Sequence, residues 1–208
     1  DVWASVCVVN PTFALEMRER DMVSYGSPPK SVAVIGGGPA GMKFAIDACD
    51  LGHKVTLYEK ESTLGGQLNL GSVPYVKYFL KKFRNYLVHQ VEKRGIEVIL
   101  GHQVEVGELA GKYDKVICAI GAVPLIPNIP GVQLTLPFDQ VLLSPELVKG
   151  EAVVIGGGEV GLETALQLVK LGHKTMCIEM QDKLAPEMAP VHFRRPYREM
   201  WEALEDFS

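Results

Sequence analysis

The sequence contains few cysteines, no excess of basic residues and no long hydrophobic run. Its four cysteines, Cys7, Cys49, Cys118 and Cys177, are scattered over 208 residues without a C-x-x-C pair, which argues against a disulfide scaffold, a zinc finger and a thioredoxin-type redox pair. With 21 Lys and Arg against 25 Asp and Glu, the net charge is −4, which argues against a nucleic-acid partner. No apolar run approaches the roughly 18 to 20 residues of a membrane span, and the first residues lack the pattern of a signal peptide. We therefore expect a cytoplasmic protein without a nucleic-acid or membrane partner.

Glycine is abundant, with 21 residues, and two glycine triplets open two similar segments. Residues 31–66 and 151–186 match at a constant offset of 120, with position 156 against 36, 172 against 52 and 179 against 59. Both segments contain the triplet, a Leu-Gly-His-Lys sequence and a later Glu. Because this unit is too long for a solenoid repeat, we interpret the match as two copies of one supersecondary module.

Each copy has the pattern of a β-strand, a tight turn, an α-helix and a second β-strand. Short apolar runs predict strands that are buried on both faces, as in a parallel sheet, and a glycine ends each helix. The predicted elements are strands 32–35 and 152–155, helices 39–51 and 159–171, and strands 54–58 and 174–178. The predicted fold class is α/β, with two Rossmann-like βαβ modules on parallel sheets, the second truncated. His53 and His173, which follow the two helices, are predicted to cap the helix ends.

The remaining segments suggest how the chain is divided. Apolar residues at four-residue steps predict an amphipathic helix over 75–93, and four prolines make 123–143 an extended connector. Further strands are predicted over 96–100 and 115–120, and a short helix over 196–207. The predicted organisation is a leader at 1–29, a first module at 30–125, a connector at 126–150 and a second module at 151–208.

The glycine triplets have the G-x-G-x-x-G spacing of a dinucleotide-binding turn. Gly36 permits the sharp turn, Gly38 lets a diphosphate approach the backbone, and Gly41 lets the helix pack on the strand. The N–H groups at the helix start attract the anionic diphosphate, and Glu59 at the strand end can accept hydrogen bonds from a ribose diol. The second copy repeats these features with Gly156, Gly158, Gly161 and Glu179. A degenerate Rossmann-like fold with an empty crevice is the alternative interpretation.

We call each strand–turn–helix unit, with the Glu at the end of its second strand, a corner. A chain with two such corners resembles the two-dinucleotide-binding flavoproteins, which hold FAD in one module and NAD(P)H in another. Glu59-Lys60 with Leu64-Gly65-Gly66-Gln67 is similar to the FAD-side pattern of that group, and Ala119-Ile120-Gly121 resembles its A-T-G turn, with Ile120 in place of Thr. The resemblance implies that FAD contacts Gly36, Gly38, Pro39, Ala40, Gly41, Glu59, Lys60, Gly65, Gly66, Gln67, Val104, Ala119 and Gly121. It implies that NAD contacts Gly156, Gly158, Glu159, Val160, Gly161 and Glu179.

Further segments resemble the family of 2,4-dienoyl-CoA reductase, 2-enoate reductase and trimethylamine dehydrogenase. They are Cys7-Val8-Val9-Asn10-Pro11, the stretch 55–67, the stretch 122–127 and Leu184-Ala185-Pro186. Members of that family carry an FMN-binding barrel and a four-iron cluster ahead of the nucleotide modules. The resemblance implies that Cys7 is the fourth cluster ligand of an intact parent, although one thiolate alone cannot hold a cluster. The other three cysteines are expected to pack in the core.

The resemblance implies that electrons pass from NADH through FAD to the iron–sulfur cluster and FMN, which reduces an activated C=C bond. The chain is expected to be a fragment that is inactive in C=C reduction by itself, with no catalytic residue that can be named. A second copy or parent segments would then cover exposed sheet edges. The alternatives are a non-catalytic ADP- or FAD-binding module and a small NADH:flavin diaphorase. Because Glu179 would repel a 2′-phosphate, softened only by Lys183, we expect NAD(H) to be preferred over NADP(H).

Overall fold

The computed structural model describes residues 28–185 and 195–202, which fall into two units. One unit contains the described residues up to Leu68 together with Lys82–Ala122, and the other contains Asn69–Lys81 together with the described residues from Val123 onward. The segment Asn69–Lys81 therefore groups with the second unit, although in sequence it lies within the first module. The predicted leader falls almost entirely outside the described residues.

The first unit is built on a four-stranded parallel sheet. Its strands follow the order β3-β2-β1-β4, so that the glycine turn after β1 lies at the centre of the sheet. Val32 of β1 pairs with Val55 on one side and Lys115 on the other. The elements that begin in or belong to this unit are β1 (Ser31–Ile35), α1 (Pro39–Asp50), β2 (Lys54–Tyr58), α2 (Gln67–Gly71), α3 (Tyr78–Lys93), β3 (Glu97–Ile99) and β4 (Lys115–Cys118).

Apolar side chains cover both faces of this sheet, which is why its central strands are continuous hydrophobic runs. On one face, residues of α1 and α3 such as Met42 and Leu87 pack against Val34 and Leu57. The other face carries a smaller cluster of Ala33, Tyr58 and Leu109. The sheet is therefore a buried platform that fixes the ends of β1 and β2.

The second unit contains a shorter copy of the same arrangement. Two parallel strands, β5 and β6, pair from Ala152 with Thr175 to Ile155 with Ile178. Its elements are α4 (Phe138–Leu143), β5 (Ala152–Ile155), α5 (Glu159–Lys170), β6 (Thr175–Ile178) and α6 (Arg195–Glu202), with short 3₁₀ turns at Tyr75–Lys77, Val132–Leu134 and Pro145–Leu147. Leu162 and Leu166 of α5 form its core with Ala185 and Tyr197.

One face of the β5–β6 pair carries no covering element among the described residues. Val153, Ile155, Met176 and Ile178 are each about half exposed on it. This apolar face contrasts with the two covered faces of the first sheet.

The predicted α/β fold class with two βαβ modules on parallel sheets is confirmed. The prediction that 123–143 is an extended connector is wrong over its last part, because Phe138–Leu143 is helical and buries Val141 and Leu142. Pro137 stands just before this helix, where its missing N–H costs nothing. The C-terminal helix is present over Arg195–Glu202, and the rest of its predicted range lies outside the described residues. In the part of the chain that is described, no helix combines the length and apolarity of a membrane span.

The two histidines after the helices do not cap them with their side chains. The helix ends are closed by backbone bonds, in which His53 N donates to Ala48 O and His173 N donates to Leu168 O, both at 3.0 Å. The imidazoles instead bind the chain that enters each first strand. Lys30 N donates to His53 Nδ1 at 3.3 Å, and His173 Nδ1 lies 3.0 Å from Gly150 O.

Candidate functional site

The first glycine turn joins the end of β1 to the start of α1 without any side chain in the way. Gly36 has a φ of +109° and donates its N–H to Tyr58 O at 2.8 Å. A Cβ on Gly41 would collide with the carbonyl oxygen of Gly36. Gly38 is the N-cap of α1, and no side chain caps that helix. The positive end of α1 is therefore presented by backbone alone, as an anion site requires.

Glu59, at the end of β2, is tied to this turn. Its Oε2 accepts the N–H of Gly37 at 2.6 Å, and its Oε1 accepts the N–H of Glu61 at 2.9 Å. The residue is 6% exposed. A carboxylate has about four lone-pair sites, so each oxygen keeps acceptor capacity for a sugar hydroxyl.

A second glycine pair faces the turn. Gly65 N donates to Gly37 O at 2.9 Å. Gly65 and Gly66 have φ values of +128° and +49°. A Cβ on Gly66 would lie 2.8 Å from the Cα of Gly38, whereas a Cβ on Gly38 would meet only the Cα of Gly66, at 3.9 Å. Backbone thus faces backbone here, and this surface fits a diphosphate.

Among the other residues predicted to contact FAD, three belong to the rim of the turn. Pro39 is the first residue of α1, and Ala40 beside it is exposed. Ala119 follows β4, donates its N–H to Ile35 O at 2.8 Å and places its carbonyl against Gly36. The structure therefore groups these residues around Gly36 and Gly38.

Four further predicted residues lie farther from the turn or make other bonds. Lys60 is exposed, with its Nζ 3.9 Å from Glu61 Oε1. Gln67 donates its Nε2–H to Ala122 O at 3.0 Å. Val104 is half-buried against the cluster of Ala33, Tyr58 and Leu109, and Gly121 is exposed with a φ of +72°. The contacts of all these residues with FAD stay predictions.

The second corner repeats the first bond by bond. Gly157 N donates to Glu179 Oε2 at 2.6 Å, and Gln181 N donates to Glu179 Oε1 at 2.9 Å. The hydrogen bond from Gln181 N, and to a smaller extent the one from Gly157 N, lowers the pKa of the Glu179 carboxyl. Ala185 occupies the place of Gly65, with a φ of +45°, and donates its N–H to Gly157 O at 2.7 Å.

The glycines of the second corner allow the same turn, the same close packing of the helix and the same open backbone surface as those of the first. Gly156 has a φ of +102°, and a Cβ on Gly161 would collide with its carbonyl oxygen. Gly158 caps α5 without a side chain, and a Cβ there would meet nothing within 4 Å. Val160 is exposed on the first turn of the helix. The residues present therefore fit a second diphosphate and ribose.

Glu159 makes the second corner different from the first. It is the first residue of α5, and its Oε1 lies 2.9 Å from Lys77 Nζ. Lys77 also binds Glu163 Oε1 at 2.7 Å, and the Tyr197 hydroxyl donates to the same oxygen at 2.8 Å. Burial raises the pKa of Glu163 more than its two partners lower it. Burial opposes the charge on Lys77, but its bonds to Glu163 and Glu159 raise its pKa.

Sequence reasoning missed the middle glycines, Gly37 and Gly157, whose N–H groups hold the two carboxylates. The signal was present, because both copies have Gly at this position, and Leu64 and Leu184 also match at the offset of 120. Those two leucines pack where a Cβ on the middle glycine would project. By contrast, no local pattern pointed to Lys77, because it lies outside the repeat.

Cysteine and metal chemistry has no support in the described part of the chain. Cys49, Cys118 and Cys177 are free thiols, and Cys118 is exposed, so the prediction that it packs in the core is wrong. Burial raises the pKa of Cys177, which makes it a poor nucleophile. Among the described residues, no group of three or more His, Cys, Asp or Glu side chains could hold a metal ion. Cys7, the predicted cluster ligand, lies outside them.

Comparison with known proteins agrees with this geometry. Residues 30–204 match the model of the pyridine nucleotide-disulphide oxidoreductase family. The chain belongs to this family. Its corners are therefore those of a flavin- and nicotinamide-nucleotide-binding oxidoreductase module.

The chain is similar to longer proteins that are named as reductases or oxidases. The chain is 40% identical over 184 residues to a bilirubin reductase of Mediterraneibacter gnavus, which covers 87% of this chain and 28% of the relative. It is 38% identical over 194 residues to an NADH oxidase of Thermoanaerobacter brockii, covering 89% and 29%. A 2-naphthoyl-CoA reductase structure superposes with a TM-score of 0.86 at 26% identity, covering 97% of this chain and 31% of the other. The chain thus spans under a third of the length of these proteins.

Proposed function

We propose that this chain is the FAD- and NADH-binding portion of a larger reductase that passes electrons from NADH through FAD towards an iron–sulfur cluster and FMN, for reduction of an activated C=C bond. The observation that carries the proposal is the presence of two complete βαβ corners, each with a bare glycine turn and a carboxylate bound to its middle glycine. One dinucleotide needs one such corner. Two corners in one chain therefore favour an electron donor and an electron acceptor.

The first corner is assigned to FAD, and the second to NADH. The Gly65-Gly66 pair, which widens the backbone surface beside Gly38, supports FAD at the first corner. When bound, the nicotinamide supplies two electrons together and the flavin can release them singly. The chain itself contributes binding and orientation. The N-termini of α1 and α5 attract the diphosphates, and Glu59 and Glu179 accept ribose hydroxyls.

A preference for NADH over NADPH is part of the proposal. The carboxylate of Glu179 stands where a 2′-phosphate would come close, and its two backbone N–H donors favour its ionised form. The exposed Lys183 lies nearby in sequence and could offset only part of the repulsion. The iron–sulfur cluster, FMN and the alkene substrate rest on the resemblance to the family of 2,4-dienoyl-CoA reductase, 2-enoate reductase and trimethylamine dehydrogenase. The cytoplasmic location rests on the few, scattered cysteines.

The uncovered face of the β5–β6 pair supports a covering partner. We propose that another segment of the intact reductase covers Val153, Ile155, Met176 and Ile178, with a second copy of the chain as the substitute when that segment is absent. Light scattering on the 208-residue chain measures this. A concentration-dependent dimer that Ile155→Lys dissociates is expected, and a strict monomer would contradict the self-association.

The visible spectrum of the purified chain, followed by anaerobic titration with NADH, tests the redox assignment. Flavin absorption that NADH bleaches is expected. Gly38→Ala should remove the flavin absorption, and Gly158→Ala should keep the flavin but abolish bleaching, since their added Cβ atoms enter open space at each corner. A colourless protein that binds ADP would overturn the proposal in favour of a non-catalytic nucleotide-binding module.

A further inference from the structure

Two carboxylates near the start of α5 distinguish the second corner from the first. Glu159 is the first residue of this helix, and Glu163 is one turn later. The positions 120 residues earlier hold Pro39 and Lys43. A helix N-terminus attracts anions, but a carboxylate beside it repels a diphosphate. The second corner therefore carries negative charge where an anionic ligand is expected to bind.

Lys77 supplies the opposite charge from outside the repeat. Its Nζ lies 2.9 Å from Glu159 Oε1 and 2.7 Å from Glu163 Oε1, and its side chain is 20% exposed. The 3₁₀ turn that carries it is fixed on α5, because Tyr75 N donates to Gln167 Oε1 at 3.0 Å. Tyr75 also packs against the core of the second unit. This explains why Asn69–Lys81 groups with the second unit.

We propose that Lys77 is a positioning residue for the second nucleotide site: by pairing with Glu159 and Glu163, it cancels carboxylate charge at the start of α5 and so permits the diphosphate of a nicotinamide dinucleotide to bind there. The inference rests on the proposed function, since it requires the second corner to bind NADH. The first corner needs no such lysine, because no acidic residue stands in the first turn of α1.

The two carboxylates do not contribute equally. Glu163 has a side chain only 6% exposed, and burial already favours its protonated form. Without Lys77, it can take up a proton and remain hydrogen-bonded to Tyr197. Glu159 is 52% exposed and directly follows Gly158, the N-cap of α5, so it lies at the helix start where the diphosphate is expected. The loss of Lys77 should therefore act on the ligand through Glu159.

Titration of the 208-residue chain with NADH and with ADP-ribose tests this inference by binding alone. Lys77→Met should weaken both ligands by about tenfold, and the defect should shrink in high salt. Adding Glu159→Gln to Lys77→Met should restore affinity to within about twofold of wild type, and Lys77→Arg should retain it. Lys174→Met is the matched control, because it removes the same charge from an exposed pair with Glu151 in the same unit, and it should change nothing.

The outcomes separate the inference from the function. A wild-type chain that binds neither ligand would overturn the proposed function and this inference with it. Normal wild-type binding with unchanged affinity in Lys77→Met would overturn the inference alone. So would a Lys77→Met defect that Glu159→Gln fails to rescue, because a purely structural role of Lys77 predicts that result. If Lys77→Met shows no cooperative thermal transition, Lys77→Gln, which keeps a hydrogen-bonding side chain, takes its place.

Discussion

The backbone N–H of Gly37 donates to the Glu59 carboxylate at 2.6 Å, so the middle glycine of the turn is fixed to the end of β2. A Cβ on Gly37 would lie 2.9 Å from Glu59 Oε2, which excludes a side chain where the N–H is needed. Gly157 and Glu179 repeat the bond at 2.6 Å. Each carboxylate therefore holds the shape of its turn as well as offering acceptors to a ribose.

Glu59→Gln should weaken both the fold and flavin binding. The amide keeps the shape of Glu59 but turns one acceptor into a donor that faces the N–H of Gly37 or Glu61. Leaving a buried N–H unpaired costs about 1 to 3 kcal/mol. Urea denaturation of the variant measures this loss, and fluorescence titration with FAD should show at least a tenfold weaker affinity.

Glu97→Gln provides the control in the same unit. Glu97 accepts the Thr56 hydroxyl at 2.9 Å, which an amide oxygen can also do, so both stability and FAD affinity should stay near wild type. Equal losses in the two variants would show that Glu59 has no special relation to the turn.

Alanine at two glycines of the first turn should separate folding from binding. A Cβ on Gly41 collides with the backbone carbonyl of Gly36, so Gly41→Ala should lower the melting temperature by several degrees. A Cβ on Gly38 meets only the Cα of Gly66, at 3.9 Å, so Gly38→Ala should melt as wild type does but bind FAD weakly. A Gly38→Ala chain that keeps full FAD affinity would show that the diphosphate does not approach this backbone.

The repeat made the two corners predictable, because each of their bonds joins positions that match at the offset of 120. The limits of the strands and helices within the two repeated segments were also predictable within one residue, since continuous apolar runs and glycine stops determine them locally. The helix predicted over 75–93 begins three residues later, at Tyr78, after a 3₁₀ turn. Helix α4 was not predicted, because the nearby prolines favour extended chain and only tertiary burial of Val141 and Leu142 favours the helix. Lys77 could not be predicted either, because its ion pairs join positions that are 82 or more residues apart.

Discrimination between the two nicotinamide dinucleotides should depend on Glu179. Wild type is expected to bind ADP-ribose at least tenfold more tightly than its 2′-phosphorylated form, and Glu179→Gln should reduce the ratio to about threefold or less. Because the pKa of Glu179 lies below its usual range, its charge is lost only as the pH falls through that lowered value. The charge of Glu179 should therefore be constant from pH 8 down to about pH 5, and the ratio should fall over this range only as the 2′-phosphate, with a second pKa of about 6, takes up a proton. Calorimetric titration at both pH values measures it, and equal binding of the two ligands to wild type would contradict the assignment.

Tyr197→Phe should destabilise the second unit through Glu163. The Tyr197 hydroxyl donates to Glu163 Oε1 at 2.8 Å, and both residues are buried. Its loss leaves the carboxylate with Lys77 as the remaining partner that the structure shows, so the free energy of unfolding should fall by about 1.5 to 3 kcal/mol, as for hydrogen bonds to charged groups.

Tyr113→Phe is the control for this prediction. It removes a hydroxyl that bonds the neutral Tyr58 hydroxyl at 2.9 Å in the first unit and should cost only about 1 kcal/mol. Urea denaturation followed by far-UV circular dichroism compares the two variants, and the fluorescence of Trp201, which packs against the core of the second unit, follows the second unit separately. A smaller loss for Tyr197→Phe than for Tyr113→Phe would mean that Lys77 alone satisfies Glu163.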